Sequence, residues 1–201
     1  MGLHPIRRIN PGVGGEMLKF DSRDVALTAV FAALYVIVNV LQMFSVGNPT
    51  IYGPVQLRVA DCLIALTALL GYPVIGGVTI GCFLTNAYYF MGVEDVMFGP
   101  IANLIAATIV FVFRKHRFIA CAAGALPIGF IVGGYLSLIF NFSPPDILST
   151  LPAWVAMIVS ITISSLIAIA VIGYLLLSIL STRNILEPLK SRGLKVTTED
   201  M

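Results

Sequence analysis

The chain has 201 residues, of which 58% are hydrophobic and 11% are charged, and its formal net charge is +2. Soluble domains carry about 25% charged residues, so this composition excludes an ordinary soluble protein. One bilayer-spanning helix needs about 20 mostly apolar residues, and six such helices would use nearly the whole chain. A separate catalytic or nucleotide-binding domain is therefore excluded, and with it most classes of enzyme.

Long apolar stretches, separated by charges and turn residues, divide the chain into six predicted membrane helices. They are residues 25–45, 58–70, 72–91, 96–113, 118–140 and 152–181. The second is short and ends at Gly71-Tyr72-Pro73, where proline discourages a continuous helix, so we expect a tilted or partly re-entrant segment. The sequence thus predicts an all-α integral membrane protein with six transmembrane helices.

The positions of the charges predict how this bundle is oriented. Of the 12 basic residues, four lie in residues 1–24, four in residues 182–201 and three in Arg114-Lys115-His116-Arg117. Cytoplasmic loops of membrane proteins carry an excess of Lys and Arg, and six helices place all 11 of these residues on one side. We predict both termini inside, with cytoplasmic tails at 1–24 and 182–201 and a membrane domain at 25–181.

Ionisable residues near membrane helices are candidate binding residues, because a charge in the bilayer is costly. Arg58 and Asp61 open the second helix three residues apart, on one face and within pairing distance. They form either a neutralising ion pair or a contact with a polar ligand. Gln56, just before them, supplies both a donor and an acceptor.

A second polar group lies around the start of the fourth helix. Glu94 and Asp95 precede it, where a carboxylate is favoured by the helix dipole and can cap free N–H groups. Asn86 and Asn103 lie within apolar stretches, where an unpaired amide is costly. Capping and helix-to-helix hydrogen bonds are one interpretation of these four residues, and contact with a ligand is the other.

Aromatic residues are frequent in the same predicted outer half. Interfacial belts explain most aromatic residues at this depth, but planar side chains beside acids and amides also suit a flat heterocycle, because stacking contributes about 1–3 kcal/mol per base. Tyr88 and Trp154, the only tryptophan, belong to this group. The candidate substrate-binding residues are Gln56, Arg58, Asp61, Asn86, Tyr88, Glu94, Asp95, Asn103 and Trp154.

Small residues recur in the first helix, with Ala29 and Ala33 four residues apart. This spacing lets helix backbones approach closely, either within the bundle or against another membrane subunit. The first helix is too long for a cleaved signal peptide, so we expect it in the mature protein. No GxxxxGK[ST], HExxH or paired CxxC motif occurs, and we predict no catalytic residues, no metal and no cofactor.

Four stretches are familiar as a set: Ala33 to Val36 in helix 1, Tyr52 to Asp61 (YGPVQLRVAD) before helix 2, Gly81 to Asn86 (GCFLTN) in helix 3, and Asp95 to Gly99 (DVMFG) in helix 4. Together they resemble the QueT family, the queuosine-precursor S components of energy-coupling-factor (ECF) transporters. The resemblance covers residues 25–113, and residues 118–181 by helix count.

The resemblance implies a six-helix S component in the plasma membrane of a prokaryote, which captures a small molecule from outside. It would dock onto a transmembrane coupling protein carrying two ATP-binding-cassette ATPases, with Ala29 and Ala33 at the contact and ATP hydrolysis confined to these partners. It would have no enzymatic activity and no nucleic-acid partner. The outward loop from Ser45 to Val55 is expected to form a lid.

A 7-deazaguanine ligand has a chemistry that the polar residues match. Its N–H and NH2 donors suit a carboxylate, and its carbonyl needs a donor such as Arg58, Gln56 or Asn86. An aminomethyl form adds a cation, for which Glu94 or Asp95 is a plausible partner.

Two other functions compete with substrate capture for an ATP-driven importer. A stand-alone secondary transporter of a small polar or aromatic metabolite is the main alternative, but no inverted repeat is obvious. An intramembrane enzyme would use Asp61, Glu94 or Asp95 as acid or base, but no nucleophile and base pair is visible.

Overall fold

Helices make up most of the computed structural model, which describes residues 21–46, 51–52, 55–139, 148, 150–191 and 196. Helix α1 (Ser22–Val46) precedes two short antiparallel strands, β1 (Ile51–Tyr52) and β2 (Val55–Gln56), in which Ile51 lies opposite Gln56. The remaining elements are a 3₁₀ helix (Val59–Leu66), α2 (Thr67–Leu70), α3 (Tyr72–Tyr88), α4 (Val93–Val112), a 3₁₀ turn (Arg114–His116), α5 (Arg117–Ile139), α6 (Ala153–Ser165), a π helix (Leu166–Gly173), α7 (Tyr174–Leu180) and α8 (Arg183–Ser191).

Within the described residues, four helical stretches are long and apolar enough to cross a membrane: Ser22–Ser45, Val93–Val112, Arg114–Ile139 and Ala153–Leu180. The apolar stretch Val59–Leu70 is shorter, and α3 has 17 residues. Large apolar side chains are exposed on the long helices, among them Leu41 and Leu138, which are 64% and 88% exposed. The prediction of an all-α protein is confirmed, as is the presence of helices that are long and apolar enough to cross a membrane.

Each of the six predicted segments is helical, although some ends differ. Helix α4 begins at Val93 rather than at 96, so Glu94 and Asp95 lie in its first turn. Helix α3 ends at Tyr88, three residues before the predicted end. The predicted break near Pro73 is confirmed at Gly71, whose φ of 70° lies in the left-handed region that glycine adopts without steric cost.

Among the described residues, the two eight-residue segments that depart from α-helical geometry lie against each other. They are the 3₁₀ helix and the π helix. Gly173 of the π helix contacts the 3₁₀ helix closely, because a Cβ atom at Gly173 would lie 2.7 Å from the carbonyl oxygen of Cys62 and 2.8 Å from the Cβ of Ala65. Hydrogen bonds in a 3₁₀ helix are less well aligned than in an α-helix, and both helix types recur at functional hinges and sites. These two segments flank the polar residues described below.

A close helix contact brings α1 against α3 at Gly77 and Gly81, which are four residues apart, the spacing that allows membrane helices to approach closely. At Gly81 a Cβ atom would lie 2.7 Å from the Cβ of Tyr35 and 2.9 Å from the carbonyl oxygen of Ala32. The absence of a side chain at Gly81 therefore sets how near α1 and Tyr35 lie to α3.

We expect Gly81→Ala to lower the free energy of unfolding by about 1–3 kcal/mol, because the added methyl group forces packed atoms apart. Gly134→Ala is the matched control, since no described atom lies within 4 Å of a Cβ built there, and alanine has the better helix propensity. Thermal unfolding of the purified variants in detergent measures both effects. Equal unfolding temperatures for the two variants would contradict the close contact.

A polar cluster inside the helix bundle

Buried polar side chains from α1, the 3₁₀ helix, α3, α4 and α5 contact one another inside the bundle. Asp61, Asn86, Asp95 and Asn103 are 3%, 2%, 1% and 2% exposed. Four of the residues predicted from the sequence are thus buried together. Arg58, which is half-buried, lies at the edge of this group. We define the polar cluster as Tyr35, Arg58, Asp61, Cys82, Asn86, Asp95, Asn103 and Tyr135.

Tyr35 connects three elements of the cluster. Its hydroxyl donates to Oδ1 of Asp61 at 2.6 Å and accepts a hydrogen bond from Nδ2 of Asn103 at 2.9 Å. A hydroxyl donating to a carboxylate makes a charge-assisted bond, which is stronger than a neutral one. Tyr35 therefore fixes the carboxylate of Asp61, which keeps further lone pairs for a ligand.

Tyr135 holds the second acid in a similar way. Its hydroxyl donates to Oδ1 of Asp95 at 2.6 Å, and Nδ2 of Asn86 donates to the backbone carbonyl of Asp95 at 2.8 Å. The other oxygen, Oδ2 of Asp95, is buried and has no hydrogen-bond partner among the described residues. One carboxylate oxygen is fixed and the other is left without a donor.

These contacts separate the interpretations that the sequence left open. Oδ1 of Asp95 accepts from Tyr135, and Oδ2 has no hydrogen-bond partner among the described residues, so the Asp95 side chain does not cap α4. Asn86 and Asn103 do form helix-to-helix hydrogen bonds. In both bonds the donor is the side-chain Nδ2 atom.

Arg58 lies near both acids without a direct ion pair to either. Among the described residues, no carboxylate oxygen lies within 4.0 Å of its guanidinium nitrogens, and its Nη1 is 3.6 Å from Sγ of Cys82. The charges of Asp61 and Asp95 both act on it. The ion pair between Arg58 and Asp61, one of the two sequence-based interpretations, is thus not formed, and Arg58 retains N–H donors for a ligand.

Gln42 of α1 positions the backbone on both sides of Arg58. Its Nε2 donates to the carbonyl oxygen of Leu57, and its Oε1 accepts a hydrogen bond from the N–H of Val59 at 2.9 Å. Gln42 is 7% exposed, and both the nitrogen and the oxygen of its buried side-chain amide have hydrogen-bond partners. The start of the 3₁₀ helix, and Arg58 with it, is attached to α1.

A small cavity of about 20 Å³ lies beside the cluster. It is lined by Arg58, Asp61, Asn103, Ile128, Val132, Ile161, Ser164 and Ser165. Ser164 and Ser165 belong to α6 and are each 3% exposed. This volume holds about one water molecule, so a bicyclic heterocycle enters only if the surrounding helices move apart.

Other residues predicted to bind substrate lie away from the cluster. Tyr88 and Trp154 are 78% and 58% exposed, and Glu94 is exposed in the first turn of α4. The side chain of Gln56 lies outside the described residues, as do residues 47–50 and 53–54 of the predicted lid. The structure therefore brings together Arg58, Asp61, Asn86, Asp95 and Asn103.

Sequence reasoning missed Tyr35, Gln42, Tyr135 and the pair Ser164 and Ser165. Each carries a polar group inside a predicted apolar span, and a buried polar group needs a partner. The rule that selected Asn86 and Asn103 would have selected these residues too.

The α1 face that carries Ala29 and Ala33 is exposed. Both alanines line an apolar groove of about 630 Å³ between α1 and α3, together with residues that include Val36, Ile80 and Leu84. They do not pack in the interior of the bundle, which was one of the two interpretations. Docking of another subunit stays a prediction.

A comparison with protein families identifies the chain. The model of the QueT transporter family matches residues 25–182, which includes every residue of the polar cluster. The chain belongs to the QueT transporter family. A curated protein of Lactococcus lactis subsp. cremoris (strain MG1363), named "Queuosine precursor transporter QueT", is 36% identical over 102 residues, which are 50% of this chain and 57% of that protein. The alignment thus spans little more than half of the relative's length.

No solved structure matches the chain significantly. The family resemblance inferred from the sequence is confirmed by the family match. A member of the QueT transporter family whose described residues include four helices that fit a bilayer is a membrane protein, and membership of a transporter family fits the prediction that it is not an enzyme.

Proposed function

We propose that this QueT-family chain is the substrate-binding subunit of an ECF-type importer for a queuosine precursor of the 7-deazaguanine type. The observation that carries the proposal is the polar cluster, in which one guanidinium, two carboxylates and two amides lie within an apolar bundle. Buried ionisable groups in membrane proteins mark substrate pathways. The name of the Lactococcus relative supports the choice of substrate.

The cavity beside the cluster has the groups that a guanine-like edge requires. Asp61 would accept the ring N–H and the amino group, and Arg58 would donate to the ring carbonyl. Asn103 adds an amide, and Ser164 and Ser165 of α6 add hydroxyls to the same cavity. The apolar side chains of Ile128, Val132 and Ile161 would pack against the ring.

Binding requires the cavity to widen. A ligand site commonly measures about 300–1,000 Å³, whereas this cavity measures about 20 Å³. The 3₁₀ helix carries Asp61, and the π helix begins directly after Ser165. Because the hydrogen bonds of a 3₁₀ helix have poorer geometry than those of an α-helix, and π-helical turns are frequent at functional sites, we propose that these two segments separate to admit the ligand.

The proposed topology has six spans and both termini in the cytoplasm of a prokaryote, with the protein in the plasma membrane. The distribution of 11 of the 12 basic residues supports it. In this orientation the end of α3 and the start of α4 face outward, so Asn86 and Asp95 lie on the side from which substrate arrives.

The proposed partners are a transmembrane coupling protein and two ATP-binding-cassette ATPases. The exposed groove with Ala29 and Ala33 supports a docking surface, because small residues allow another helix to approach closely. The chain has no P-loop sequence, so ATP hydrolysis is assigned to the partners.

We expect the purified chain to bind 7-cyano-7-deazaguanine, 7-aminomethyl-7-deazaguanine or queuine with submicromolar Kd in calorimetry. Guanosine is the control, because its ribose adds bulk to the ring system. The lack of submicromolar affinity for all three compounds would refute the substrate assignment. Uptake into vesicles that contain only this chain, without ATPases, would refute the importer assignment and support a stand-alone transporter.

A further inference from the structure

We infer that the ligand carries one positive charge beside its planar ring, and that Asp95 binds this charge. The inference rests on the proposed function and narrows it, because queuosine precursors differ in the charge of the substituent on the ring. A cyano substituent is neutral. An aminomethyl substituent is protonated at neutral pH, since a primary alkylamine such as that of lysine has a pKa of about 10.4.

The charges within the bundle do not balance. The polar cluster contains two carboxylates, Asp61 and Asp95, and one guanidinium, Arg58. Each carboxyl group accepts a hydrogen bond from a tyrosine hydroxyl, and such a bond stabilises the ionised form. With both acids ionised, the cluster carries a net charge of −1, which is costly in a weakly polar interior unless a cation compensates it.

No other basic residue of the membrane domain is close enough to supply that cation. Between residues 25 and 181 the only other Lys and Arg residues are Arg114, Lys115 and Arg117. They follow the C-terminal end of α4, whereas Asp95 lies in its first turn. A helix rises 1.5 Å per residue, so about 28 Å separates Asp95 from Arg114 along α4.

The unpartnered oxygen shows where the missing cation binds. Oδ1 of Asp95 accepts from Tyr135, while Oδ2 is buried and accepts from none of the described residues. Arg58, the nearby cation, makes its Nη1 contact with Cys82 instead. An ammonium group would give Oδ2 the donor and the charge that it lacks, and Tyr135 and Asn86 are positioning residues that hold Asp95 in place.

Calorimetry with two ligands that share one ring tests the inference. We expect the unmodified protein to bind 7-aminomethyl-7-deazaguanine at least tenfold more tightly than 7-cyano-7-deazaguanine at pH 7. Asp95→Asn should remove this preference, lowering the affinity for the aminomethyl compound tenfold and changing that for the cyano compound less than threefold. Glu94→Gln is the matched control, because Glu94 is the adjacent residue and is exposed, so the preference should persist.

The outcomes are distinct. Equal or tighter binding of the cyano compound by the unmodified protein would overturn the inference and indicate that a proton balances the charge of the acids. This comparison needs no variant, so it holds even if Asp95→Asn does not fold. A preference that persists in a folded Asp95→Asn protein would overturn the role of Asp95. Binding of neither compound, nor of queuine, would refute the proposed substrate class, and the inference with it.

Discussion

Arg58→Ala is expected to weaken binding of the 7-deazaguanine ligand by at least tenfold. The guanidinium is the cation next to both buried acids and lines the cavity. A hydrogen bond to a charged group contributes about 1.5–3 kcal/mol, and about 1.4 kcal/mol corresponds to a factor of ten in Kd. Removal of Arg58 also leaves Asp61 and Asp95 without a compensating charge, so the variant should unfold at a lower temperature.

Two further variants separate a binding effect from a folding effect. Arg58→Lys keeps the positive charge but loses the planar fork of donors, so it should fold and bind with intermediate affinity. Arg183→Ala removes an exposed arginine of α8 whose partner, Glu187, is 2.7 Å away, and an exposed pair contributes at most about 1 kcal/mol. Calorimetry measures ligand affinity, and thermal unfolding measures stability, for Arg58→Ala, Arg58→Lys and Arg183→Ala. Unchanged binding by both Arg58 variants would place the substrate elsewhere.

Substitutions in the groove between α1 and α3 are expected to have the second large effect, which is on ATP-dependent uptake. Replacing Ala29 and Ala33 together with leucine should leave ligand binding intact and abolish ATP-dependent uptake in vesicles that contain the partner subunits. Both alanines face an open groove, so leucine side chains have space within this chain. They would, however, prevent the backbone of another helix from approaching closely.

Matched substitutions on the same helix complete this test. Leu34 and Leu41 of α1 are 41% and 64% exposed and do not line the groove. Replacing both with phenylalanine adds bulk outside the groove and should leave uptake unchanged. Lost ligand binding in the Ala29 and Ala33 variant would show that the alanines support the fold. Normal uptake would show that no partner docks there.

Several residues of the polar cluster were predictable because burial of a polar group in a membrane helix is costly wherever the helix lies. Arg58, Asp61, Asn86, Asp95 and Asn103 were selected on this basis, and the structure gathers them in one cluster. Glu94 and Asp95 show where such reasoning stops. Adjacent residues on a helix point about 100° apart, so only one acid faces inward, and the packing of α4 against its neighbours decides which.

The hydrogen-bond partners were not predictable for a related reason. Asp61 is bonded to Tyr35, 26 residues earlier, and Asp95 to Tyr135, 40 residues later. Periodicity within a helix shows which residues share a face. It does not show how one helix is rotated against another, so the pairing of Asp61 with Tyr35 and of Asp95 with Tyr135 was not predictable.

Composition and the spacing of apolar residues determined, without any structure, that this chain is mostly helical, has helices able to cross a membrane, and forms them near the predicted segments, although some ends differ. They did so because hydrophobicity and the cost of burying charge act on each segment separately. Only the tertiary structure decided that Arg58 makes no ion pair with Asp61, that Ala29 and Ala33 face outward, and that Oδ2 of Asp95 has no partner among the described residues. Those facts depend on the distances and rotations between helices, which are set by close contacts such as the one at Gly81.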